Sequence, residues 1–139
     1  MNNRTHEEIR EALEAGAMAL NSLRKAQNHL DGARNWGLLD MFGGGMLTTF
    51  IKHTKLDEAK NCIRQAERDL KAFSRELRDV DLPAIDMNGF MGFADYFFDG
   101  FLADFMVQSR INEAREQLAE AIQRVEALLR ELRSAESRC

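Results

Sequence analysis

The chain matches itself. Shifted by 55 positions, the segment "GLLDMFGGGMLTTFIKHTKLDEAKNCIRQAERDLKAFSRELR" from Gly37 lies without a gap over "GFADYFFDGFLADFMVQSRINEAREQLAEAIQRVEALLRELR" from Gly92. Gly37 falls on Gly92, Asp40 on Asp95, Phe42 on Phe97, Gly45 on Gly100, Leu47 on Leu102 and Phe50 on Phe105, and "RELR" at 75–78 falls on "RELR" at 130–133. Shared helical composition would produce coincident Ala and Glu, but not ungapped coincidence of aromatics and glycines. A duplication with offset 55 follows, and internal repetition at such a period restricts the fold to units that stack or pair.

The second half of each copy has the clearer physics. Leu56, Ala59, Ile63, Ala66, Leu70, Phe73 and Leu77 step by three and four, as do Ile111, Ala114, Leu118, Ala121, Val125, Leu128 and Leu132. Such narrow apolar seams belong to helices that pack on helices. Thr54 and Ser109 stand just before these seams as candidate N-caps. Ahead of the repeat, Ile9, Leu13, Leu20, Leu23 and Leu30 form another apolar stripe. Ala12, Ala19, Ala26 and Ala33 recur beside it every seventh residue and let a partner helix approach closely. Thr5 with Glu8 reads as a capping box for this helix. Three long helices are predicted, over roughly 5–34, 55–79 and 109–137. Pro83, the only proline, ends the second. The predicted fold is all-α: an elongated antiparallel bundle of three long helices with two short aromatic-rich helical heads. Residues 1–139 form one helical domain, comprising a first helix at 5–34, copy 1 at 36–79, a linker at 80–91 and copy 2 at 92–137.

The heads, 36–53 and 90–108, hold eight of the nine phenylalanines together with Trp36, Tyr96 and four methionines. Too little polar surface remains for either to stand alone in water. They can finish the core of the bundle, form a dimer interface, or dock a partner or lipid, and the first two are compatible. Phe42, Phe50, Phe97, Phe101 and Phe105 are the apolar residues on which any of these readings depends.

Polar residues inside the heads are the candidate site. Gly43, Gly44 and Gly45 are not followed by Lys and Ser or Thr, which excludes a Walker-type phosphate loop. Copy 2 keeps only Gly100 of the three, so glycine there reads as a chain reversal or close contact, with one copy bent harder than the other. Asp40 and Asp95 sit in apolar settings and read first as main-chain hydrogen-bond partners. With Asp99 and His53 they could instead hold a divalent metal. Antiparallel second and third helices would place the heads at opposite ends, roughly 35 Å apart at 1.5 Å per residue, which opposes that reading within one chain. No Glu-x-x-His, nucleophile elbow or cysteine–histidine pairing occurs, so catalysis is not indicated, and no cofactor is called for.

Composition removes other classes. The net charge is −4, with the signs interspersed, and no basic stripe serves a nucleic-acid backbone. The N-terminal residues carry acids where a secretory signal needs a basic start. Asp95, Asp99 and Asp104 interrupt the most apolar stretch, which excludes a transmembrane segment, and the shortage of nearby Lys and Arg opposes peripheral membrane contact. Cys62 and Cys139 make no disulfide framework, which suits a reducing cytoplasm and a buried, structural Cys62.

The stretches "WGLLDMFGGG" and "IKHTKLDEA", with "FADYFFDG" and "QSRINEA" downstream, resemble a group of small bacterial helical proteins with a W-G-x-x-D-x-x-G-G-G pattern and a following K-H. The resemblance spans roughly residues 35–115 and implies a bacterial origin and a cytoplasmic setting. It brings no activity. It marks Trp36, Asp40, Gly43, Gly44, Gly45 and His53 as motif residues. The expected function is non-enzymatic binding or scaffolding, with self-association as a homodimer through apolar helix faces or aromatic heads, or capture of a protein partner. Metal or small-ligand binding through Asp40, Asp95, Asp99 and His53 is the alternative.

Overall fold

The computed structural model describes residues 3–43, 46–80, 87–101, 103, 105 and 111–138, with side chains described for 4–32, 57–80, 89–97, 99–100, 103, 105 and 111–138. The described residues form four α-helices and no strand: α1 (Asn3–Gly43), α2 (Met46–Asp79), α3 (Met87–Tyr96) and α4 (Ile111–Ser137). A π-helical segment, Phe97–Phe101, continues α3. Among the described residues no helix is long and apolar enough to cross a membrane.

The seams form the core. Ala59, Ile63, Ala66, Leu70, Phe73 and Leu77 of α2 are buried, as are Ala114, Leu118, Ala121, Val125, Leu128 and Leu132 of α4. From α1 come Ile9, Leu23, Leu30 and the small residues Ala12, Ala19 and Ala26, all buried. Each large apolar side chain placed there contributes about 1.5–3 kcal/mol relative to exposure.

Helix α1 is the common partner of α2 and α4. Its residues pair with α2 in descending order: Gly16 meets Phe73, Ser22 donates a hydrogen bond to Asp69, and His29 lies 3.6 Å from Glu58. They pair with α4 in descending order too, Gly16 with Leu129, Arg24 with Glu126 and Asp31 with Arg115. Both neighbours therefore run antiparallel to α1, and α2 and α4 run parallel to each other. This corrects the expectation that the second and third long helices are antiparallel. A parallel pair needs a return path, and α3 with its π-helical continuation provides it. Phe90 packs on Phe73 and shares a groove with Leu128 and Glu131, while Arg124 lies over the ring of Phe93. The result is an up-down-up-down arrangement in which a shorter third helix, from Met87, takes in the last part of the expected linker 80–91 and the start of the second head, while residues 81–86 of that linker lie outside the described residues.

The first head is not a separate segment. α1 continues from the expected end near residue 34 to Gly43, and α2 begins at Met46, so His53 and Thr54 lie inside a helix and Thr54 is not its cap. α1 already begins at Asn3, which puts Thr5 in its first turn. Trp36 to Phe42 contains no proline and only one glycine, with Leu38, Leu39 and Met41 as good helix formers, so no breaker stops α1 before the glycine run. Gly44, Gly45 and Ser109 lie outside the described residues.

The two copies also differ in backbone. In copy 1 the chain reverses between Gly43 and Met46. At the matching positions of copy 2, Phe98, Asp99 and Gly100 belong to the π-helical segment, and Ala103 and Phe105 are still helical. The reversal falls later, between Phe105 and Ile111. A single glycine weakens a helix by about 1 kcal/mol and is tolerated, whereas three in succession multiply that cost and favour a turn.

Gly16 is more closely packed than Gly32, Gly92 or Gly100. A Cβ there would come within 2.6 Å of Leu129 Cδ2 and 2.9 Å of Phe73 Cε1. Gly16→Leu is expected to lower the urea midpoint, losing about 1–3 kcal/mol through overpacking. Phe105→Asp, which buries a lone carboxylate at a position only 2% exposed, is expected to abolish cooperative unfolding. Unchanged midpoints for both variants would contradict this packing.

Candidate functional site

The sequence offered two heads and four polar candidates, and the bundle separates them. Asp95 and Asp99 lie one helical turn apart on α3 and its π-helical continuation, both exposed. They line one groove with Ser74 and Arg75 of α2. Asp40, in the last turn of α1, and His53, in the second turn of α2, lie at the opposite end of the bundle. With Asp95 level with Ser74 and Arg75, and Asp40 level with the start of α2, the separation along the axis is about 40 Å. Within one chain, therefore, the helix positions of Asp40 and His53 lie far from those of Asp95 and Asp99, and the expected carboxylate pair would need a second chain to meet; the side chains of Asp40 and His53 lie outside the described ones. Among the described residues, no three His, Cys, Asp or Glu side chains cluster as metal ligands.

The aromatic heads divide in the same way. In the second head Phe90, Phe93, Phe97 and Phe105 are buried. Phe73, Phe90, Phe93 and Phe97 form a ladder with successive ring centroids 5.6, 6.4 and 5.9 Å apart. The guanidinium of Arg124 sits 4.7 Å from the centre of the Phe93 ring and closes the ladder on the solvent side. These described rings belong to the hydrophobic core. Phe101 lies in the π-helical segment, with its side chain outside the described residues. The first head forms the helical ends of α1 and α2, carrying Trp36, Asp40, Phe42 and Gly43 on one and Phe50 and His53 on the other. Those side chains lie outside the described ones.

The groove between α2 and α3 was not anticipated. Its volume is about 340 Å³. Lys71, Arg75 and Arg78 line one wall from α2, and Asp95 and Asp99 line the other. Lys71 is also paired with Glu67 at 2.8 Å. Ser74 lines the groove too, and it is 5% exposed with no hydrogen-bond partner for its Oγ among the described residues. The i, i+4, i+7 spacing of the three basic residues was readable as one face of a helix, but its acidic counterpart could be found only once α3 was known to fold back along α2.

Cys62 is half-buried and free rather than fully enclosed. Burial pushes its thiol up, Lys25 opposes this and Glu58 reinforces it. Raising an acid's pKa favours the neutral form in the folded state. The associated stability is therefore complete below the ordinary thiol range and is lost as pH rises through the raised value. In a Cys139→Ser background, Cys62 is expected to react with iodoacetamide more slowly in the folded protein than in urea at the same pH. A faster folded-state reaction would show an activated thiol instead.

Comparison with known proteins gave no matching family model, no matching curated relative and no matching solved structure.

Proposed function

We propose that this chain is a non-enzymatic helical scaffold that self-associates as a homodimer, with the tip of the α1–α2 hairpin as its contact surface. The observation that carries the reading is a change in cross-section along the molecule. Where α3 lies alongside, four helices surround the core. Arg115 of α4 pairs with Asp31 of α1, and α4 begins one turn beyond, at Ile111. Past that level, among the described residues, only α1 and α2 continue.

That two-helix tip coincides with the first head. It carries Trp36, Leu38, Leu39, Met41, Phe42, Met46, Leu47, Phe50 and Ile51. Two helices can bury only one face each against the other, and nine large apolar residues exceed that capacity. The duplication supports the same reading. Phe97 and Phe105, the counterparts of Phe42 and Phe50, are buried in the lower bundle, so in copy 2 the repeated aromatic pattern serves a packed surface, and the same pattern at the tip suits one. A second tip related by two-fold symmetry would restore a four-helix cross-section, with the same residues on both sides as such an interface requires. Aromatic and Met-rich composition suits the centre of an interface.

Native mass spectrometry with sedimentation velocity tests this. At tens of micromolar the protein is expected at twice its 15.9 kDa chain mass. Phe42→Asp and Phe50→Asp are expected to give monomers with unchanged helical circular dichroism. A monomeric parent, or folded variants that remain dimeric, would overturn the proposal.

A further inference from the structure

The groove between α2 and α3 lies about 40 Å from the tip and is independent of the scaffold reading. Its walls are oppositely charged, yet among the described residues no ion pair joins Arg75 or Arg78 to Asp95 or Asp99. Opposed helices of a bundle usually close such charges on each other, or leave them on faces pointing away. Here they face a shared space at the lower end of small-ligand volumes. Ser74 lines the groove, and its buried Oγ has no hydrogen-bond partner among the described residues, which costs about 1–3 kcal/mol unless a bound group satisfies it.

Charge chooses the class of occupant. A simple anion drawn to Arg75 and Arg78 would meet Asp95 and Asp99, and a simple cation drawn to the carboxylates would meet the two guanidiniums. A molecule with a negative and a positive end satisfies both walls, with Met91 and Ala94 supplying apolar contact between them. We propose that this groove binds a small zwitterion, its carboxylate held by Arg75 and Arg78, its ammonium by Asp95 and Asp99. Guanidinium suits the carboxylate because it offers two parallel donors. Ser74 donates to the same carboxylate at the floor of the groove, reached when the exposed basic side chains above it shift.

The probe is 6-aminohexanoate, with hexanoate and hexylamine as singly charged controls, followed by chemical-shift changes at the Met91 methyl and the Ala94 amide. Saturable shifts are expected with 6-aminohexanoate, and affinity at least about tenfold weaker for each control, the factor that loss of one charge-assisted contact produces. Asp95→Asn with Asp99→Asn should erase the preference over hexanoate. Ser74→Ala should raise the urea midpoint of the free protein and at the same time weaken 6-aminohexanoate. Equal affinity for hexanoate would make this a plain anion site and overturn the proposal. So would linear, unsaturated shifts, which would mean that the charges are simply solvated, or a Ser74→Ala variant that is stabilised with unaltered binding.

Discussion

How closely α1 can approach its neighbours determines most of the architecture. Ala12, Gly16 and Ala19 leave the buried face of α1 almost without side-chain volume between Ile9 and Leu23, and at Gly16 the side chains of Phe73 and Leu129 occupy the space that a Cβ would need. Two helices can then lean on the same stretch of α1. Because both run against it, they run alongside each other, and the chain between them must travel the length of the core to return. From Met87 onward that return is made by α3, a helix in the bundle rather than a linker.

The returning helix explains where the aromatics go. α3 is short, and its neighbours present the narrow seams of α2 and α4, so bulky rings fill the remaining space. Phe73 starts the ladder and Phe90, Phe93 and Phe97 extend it. The π-helical turn at Phe97–Phe101 inserts an extra residue into the helical repeat and shifts which face the later residues present, a device common where a helix must satisfy two neighbours. Phe105 remains on the buried side beyond it. Cross-helix polar contacts add register at low cost. The buried Ser22 hydroxyl donates to Asp69, which also accepts from Gln65 at 3.1 Å, and Glu58 lies against His29 further along the same α1–α2 contact.

Much of this was legible beforehand, and the limits have physical causes. The seams of α2 and α4 and the small-residue stripe of α1 were read correctly because periodicity reports directly on which face is buried. Helix ends were misjudged around Trp36 and Thr54, where the change from amphipathic to uniformly apolar sequence looked like a boundary. Apolar residues continue a helix as readily as amphipathic ones, and only the glycine run stops it. The direction of α4 was misjudged because periodicity carries no information about the sense of a neighbour. Asp40 and Asp95 match in sequence but lie far apart, since the reversal that follows Asp40 within a few residues is delayed well past Asp95. The groove was invisible for a related reason: Arg75 and Asp95 belong to different copies, and only the path of α3 makes them neighbours.

The central claim is that α2 and α4 run parallel on a shared α1. Spin labels at Asp57 and Glu116, both exposed and near the starts of the two helices, test it directly by pulsed dipolar spectroscopy after Cys62→Ser and Cys139→Ser. Because His29–Glu58 and Asp31–Arg115 mark the same level of α1, the labels should lie about one bundle width apart, roughly 20–25 Å. A distance centred beyond about 35 Å would put the start of α4 at the other end of the bundle and would contradict the account.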